Sequence, residues 1–114
     1  MSILMKRLDE YGADVEGAMA RFLNDEELYE SCFVSFLEDE AFLQLNEALK
    51  CGDYERAFDA AHTLKGVAGN MGLTPMYCAV CAIVEPLREK KGSDLMVLHA
   101  GIVEQHEVLR RLRD

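Results

Sequence analysis

Apolar residues recur at steps of three and four along most of the chain and nowhere alternate with period two, so the pattern predicts helices throughout and no sheet. Val15, Ala18, Met19, Phe22 and Leu23 define a short first helix over about residues 14–23. Asn24 reads as the N-cap of a second segment, with Glu26 and Glu27 suited to the positive end of its dipole. That segment carries Leu28, Cys32, Phe33, Phe36, Leu37, Phe42, Leu45 and Leu49, with an interruption expected near Asp39, and stops at Gly52. Asp53 caps a third helix whose Tyr54, Ala57, Phe58, Ala61, Leu64, Ala68 and Met71 form an inward stripe, and Gly72 ends it. Thr74 as N-cap and Pro75 at the first helical position open a fourth helix, in which Met76, Val80, Ile83, Val84 and Leu87 face inward and Pro86 predicts a kink or frayed last turns. Lys90 and Lys91 suit its C-terminus, Gly92 ends it, and Ser93 caps a fifth helix with Leu95, Leu98, Ile102, Leu109 and Leu112 inward.

Short connections between the later helices make neighbours antiparallel. The expected architecture is all-α: an up-and-down four-helix bundle with a short additional N-terminal helix over one end. A chain of 114 residues is expected to form one free-standing domain, spanning residues 1–114 and too short to add a kinase or receiver domain. Half the residues are apolar, yet no run of about eighteen could span a bilayer. Met1 to Met5 is too short for a signal-peptide core and is followed by Lys6 and Arg7, so a cytoplasmic protein is expected. A net charge of -9 repels a phosphate backbone and argues against nucleic-acid binding.

The chemistry concentrates in His62-Thr63-Leu64-Lys65-Gly66-Val67-Ala68-Gly69-Asn70-Met71-Gly72. At 100° per residue, Lys65 lies about 60° from His62 around the helix, Gly66 about 40° and Gly69 about 20°, so the four share one face. The inward stripe is centred about 130° away, which puts His62 towards solvent. Two glycines on such a face cost roughly 0.8 to 1 kcal/mol each relative to Ala. Close approach by a partner protein offsets that loss, because both glycines remove side chains that would stand over the imidazole.

The run resembles the histidine phosphotransfer (HPt) domain, whose signature is His, any residue, Leu, Lys, Gly, any residue, Ala or Ser, and a Gly ten places after the His. His62, Leu64, Lys65, Gly66, Ala68 and Gly72 fill those places, with Ala61 and Leu73 also fitting. The resemblance implies an all-helical carrier, not itself a kinase, that accepts a phosphoryl group on His62 from the aspartate of a response-regulator receiver domain and passes it to another receiver. The partners it implies are such receivers, including that of a hybrid sensor histidine kinase. It implies no cofactor on this chain, with Mg²⁺ held by the receiver alone, and a transient contact between monomers.

The residue types agree with that chemistry. A solvated imidazole keeps a nucleophilic lone pair near neutral pH. Lys65, one turn on, can offset the charge that a phosphoryl group brings. Arg88 on the antiparallel fourth helix is expected to reach the same surface, and Glu85 to serve solvation or an ion pair. Gly66 and Gly69 mark the centre of a docking surface for whose apolar rim Phe33, Phe36 and Leu37 are the candidates, against the alternative that side chains at such helical spacing pack in the core. Two other classes share these features: an adaptor that binds receivers without transferring phosphate, and a metal-binding bundle. Intact His62 and Lys65 oppose the first.

The second lacks ligands. Cys78 and Cys81 form a Cys-x-x-Cys pair, but Cys51 precedes the His62 helix and Cys78 follows it, roughly 25 to 30 Å away at 1.5 Å per residue. A shared site with Cys32 and Cys51 is therefore excluded for a straight helix, and reduced thiols are expected. A di-iron site needs Glu-x-x-His, whereas Asp59, Met96 and Val103 stand three residues before the three histidines. His99 and His106 read as boundary residues of the core.

Overall fold

A computed structural model describes residues 2–90 and 94–114. Its helices are α1 (Ile3–Tyr11), α2 (Val15–Arg21), α3 (Glu26–Leu37), α4 (Glu40–Cys51), α5 (Tyr54–Asn70), α6 (Thr74–Arg88) and α7 (Leu95–Arg113), with no strand among the described residues. Five of them begin in the same way. A side-chain oxygen of Ser2, Asp14, Asp25, Asp39 or Asp53 accepts a hydrogen bond from a backbone N–H of the first turn, satisfying a donor that has no partner within the helix. Gly12 and Gly52, at φ 104° and 70°, end α1 and α4 in the left-handed conformation that glycine adopts at least cost.

Helices α4 to α7 form the bundle in chain order: α5 packs between α4 and α6, α6 against α7, and α7 returns to α4. The core runs along its axis, with Leu45 and Ala48 of α4, Ala57, Ala61, Leu64 and Ala68 of α5, Met76, Val80 and Ile83 of α6, and Ile102 and Leu109 of α7 all buried. Four buried alanines on α5 present little side chain, which lets its neighbours approach closely. Helices α1 and α3 each lean on α7, burying Leu4, Met5 and Leu8 from the first and Tyr29, Phe33, Phe36 and Leu37 from the second.

Several boundaries differ from expectation. α1 was not anticipated, because its buried Leu4, Met5 and Leu8 fill only two turns and are interleaved with Lys6 and Arg7. The second segment is two helices, not one: Asp39, extended at ψ 132°, caps α4 instead of merely interrupting α3. Asn24 is not the cap of α3; Leu23 and Asn24 both take positive φ (56° and 59°), and the extended Asp25 supplies the capping oxygen. α6 begins one residue earlier than predicted, with Leu73 at the cap and Thr74 inside the first turn. It continues two residues past Pro86, which is possible because the hydrogen bond that proline deletes lies in the final turns. The expected roles of Lys91, Gly92 and Ser93 fall outside the described residues.

His99 is buried, 8% exposed, and not at the boundary as expected. Burial pushes its imidazole below the ordinary range, with the Lys50 charge acting in the same direction. His106 is half-buried: its ring stacks on Phe42 at 3.7 Å between centroids and its Nε2–H donates to the Leu37 carbonyl at 2.8 Å. Desolvation lowers its pKa as well, outweighing that hydrogen bond, and the Arg110 cation adds to the lowering.

Candidate functional site

The middle of α5 is where the helix turns from core to solvent. Ala61 and Leu64 are buried, whereas the neighbouring His62, Thr63 and Gly66 are exposed and Lys65 is half-buried. Lys65 makes no hydrogen bond or ion pair among the described residues. Around Gly66 the surface is open: a Cβ placed there would meet no atom within 4 Å. The imidazole can thus be approached across the helix one turn away.

Gly69 and Gly72 belong to a different environment. A Cβ on Gly69 would stand 3.0 Å from the Tyr77 ring of α6, so this glycine makes room for an aromatic side chain of the same molecule. Gly69 thus has a packing role inside the fold, where only access for a partner was expected. At Gly72, φ is +69° and a Cβ would lie 2.6 Å from the backbone oxygen of Asp14. The Gly72 carbonyl in turn accepts from the Asp14 N–H at 2.8 Å. The last turn of α5 is tied down further by Arg21, whose Nε donates to the Asn70 carbonyl at 2.8 Å, and by the buried Tyr29 hydroxyl, which donates to the Met71 carbonyl at 2.8 Å. These contacts place the formerly free carbonyls of a helix end in hydrogen bonds.

On the other side of His62, one turn towards the N-terminus, the Phe58 ring lies 5.8 Å from the imidazole centroid at 31° between planes. Phe58 was expected wholly in the core stripe, but it is half-buried and reaches the histidine. The Arg88 guanidinium sits 5.4 Å over the same phenyl ring and is paired with Glu85 at 2.8 Å. Arg88 therefore meets His62 through Phe58, where a direct reach to the histidine surface was expected, and Glu85 forms an ion pair. Phe33 and Leu37 are corrected outright: they are 0% and 2% exposed and support α3 against the bundle, as does Phe36, so none of them rims an open surface.

The four cysteines are free thiols, Cys51 and Cys78 exposed and the other two half-buried. Among the described residues no group of three or more His, Cys, Asp or Glu side chains is arranged to hold a metal ion, and no helix is long and apolar enough to cross a membrane.

The bundle thus carries an exposed histidine on α5, with a lysine that makes no ion pair among the described residues one turn on and an open glycine beside it. The chain matches the Hpt domain over residues 27–113, more than half its length, and belongs to that family of histidine phosphotransfer modules of phosphorelays. Comparison with curated proteins and with solved structures gave no match. Sequence reasoning placed His62 and Gly66 on the solvent face of α5, where the structure has them, and missed Phe58 as a neighbour of His62 although it stands four residues before it, the spacing of side chains that meet on a helix. Tyr77 and Arg21 carried no such signal, since their partners come from tertiary packing.

Proposed function

We propose that His62 is the phosphoacceptor, taking a phosphoryl group from the aspartate of one receiver domain and giving it to the aspartate of another in a two-component phosphorelay. The observation that carries this reading is an exposed imidazole beside an open Gly66, on a helix of an Hpt-family chain. The His62 Nε2 lone pair forms the N–P bond while the bond from phosphorus to the aspartyl oxygen breaks, and that electron pair remains on the aspartate as a carboxylate. Nδ1 keeps its proton. Transfer to the second receiver runs the same exchange in reverse. Such chemistry asks for alignment and charge neutralisation more than for covalent catalysis. Lys65 neutralises part of the charge that arrives on His62, and Mg²⁺ bound in the receiver serves the donor side. In this reading the chain is a carrier between receiver domains, one of them the receiver of a hybrid sensor kinase, and it works in the cytoplasm.

The test is to mix the purified chain with a radiolabelled phospho-receiver, follow label onto the chain, then add a second receiver. Label that moves through the chain to the second receiver is the expected result. Tight binding of the phospho-receiver with no movement of label would replace the carrier by an adaptor.

A further inference from the structure

Resting on the phosphoacceptor reading, we propose that Phe58 is a positioning residue that holds the His62 imidazole in its reactive orientation, and that Arg88 acts on the histidine only by holding Phe58. An exposed side chain on a helix ordinarily samples several rotamers, and fixing one has an entropic cost at the moment of reaction. The Phe58 ring lies one turn below His62 at 5.8 Å and 31°, a distance at which aromatic rings attract and at which one orientation of the imidazole is favoured over the others. The contact covers the imidazole from the N-terminal side of the helix. Gly66 leaves the C-terminal side empty. A partner is thereby presented with a ring supported on one side and approachable from the other.

Phe58 packs against the core but is only half-buried, so part of its ring lies outside. The Arg88 guanidinium 5.4 Å over its ring adds a cation–π contact from α6, and Glu85 at 2.8 Å fixes the guanidinium. Glu85, Arg88, Phe58 and His62 therefore form one chain of contacts running from α6 across to the site. Arg88 thus contacts the Phe58 ring with one face and Glu85 with one edge of its guanidinium.

Positioning and docking separate when the donor is varied. Phosphoramidate, a small donor that needs no docking surface, and a phospho-receiver should both phosphorylate the Phe58→Leu variant about two- to ten-fold more slowly than wild type, the loss expected for one aromatic contact. Phe58→Tyr, which keeps the ring, should restore both rates. In NMR, the carbon-bound ring protons of His62 should lose the ring-current shift in Phe58→Leu and regain it in Phe58→Tyr, a readout independent of phosphorylation. Arg88→Gln should slow both donors by a smaller factor, and have no further effect in a Phe58→Leu background. Wild-type rates with unmoved His62 resonances in Phe58→Leu would overturn the role of Phe58. A loss confined to the receiver donor would make the residue part of a docking surface and overturn positioning, and additive effects of the two substitutions would overturn the route through Arg88. Failure of the wild-type chain to take label on His62 from either donor would instead sink the phosphoacceptor reading itself.

Discussion

Gly66 and Gly72 stand six residues apart on and just beyond α5, yet their surroundings are opposite. A side chain added at Gly66 would project into empty space; one added at Gly72 would run into the backbone of Asp14 at 2.6 Å while forcing φ +69° on a residue with a Cβ. The middle of the helix is open, and its end is closed by the rest of the fold, through Asp14, Arg21 and Tyr29. A run of residues that reads as a single functional motif is therefore two devices. One presents a histidine, and the other anchors the helix that bears it.

Substitutions that separate the two devices should produce effects of decreasing size. Gly72→Ala combines a left-handed backbone with a backbone overlap and should lower stability by about 2 to 4 kcal/mol, seen as an earlier midpoint in urea unfolding followed by circular dichroism. A midpoint within error of wild type would mean that the anchored end is not rigid. Lys65→Ala should leave stability within about 0.5 kcal/mol, since no partner in the described fold loses a contact. Phosphoryl transfer in the same variant, measured by rapid quench, should fall roughly ten- to a hundred-fold, the size of one charge-assisted contact worth about 1.5 to 3 kcal/mol. Equal rates would remove Lys65 from the mechanism.

Gly66→Ala should fold as well as wild type or gain up to about 1 kcal/mol, because alanine is the better helix former and nothing obstructs it. Extending the side chain to Gln at that position should slow transfer strongly with the fold intact; an unchanged rate would show that the open face is not where partners approach. The smallest effect concerns acidity. His99 and His106 have pKa values lowered in the folded state, so on acidification the unfolded chain takes up protons first. Stability should then be complete above the unfolded imidazole range near 6.5 and decline as pH falls from there through the lowered folded values. His106→Gln, which can still donate to the Leu37 carbonyl, should flatten that decline in unfolding experiments between about pH 7 and 5. An identical slope would assign the acid loss elsewhere.

Much of the bundle was legible because its signals are local. Asp53 before an apolar stripe and Gly52 and Gly72 at helix ends mark α5 from sequence alone, and the 3.6-residue period places His62 away from the stripe. The break at Asp39 was visible, but whether it bends a helix or starts a new one depends on the extended conformation that Asp39 takes when it caps α4. α1 was lost because two turns with three buried residues give too little periodicity. At the site, Phe33 and Leu37 stood between rim and core because helical spacing cannot say which neighbour covers a face, and α3 turns both inward. The packing of Gly69 against α6 was missed for the same reason. Its neighbour Tyr77 lies eight residues on, beyond the turn that folds α6 back along α5.

The most direct test of the open device is the position of the phosphate. After incubation with a phospho-receiver, the chain should be denatured in alkali, digested, and sequenced by mass spectrometry under conditions that preserve N–P bonds. The account predicts a phosphate on the peptide containing His62, stable to base and lost in acid, and absent when His62→Gln is treated in the same way. Phosphate on His99, on His106 or on any residue of the His62→Gln chain at wild-type yield would contradict it.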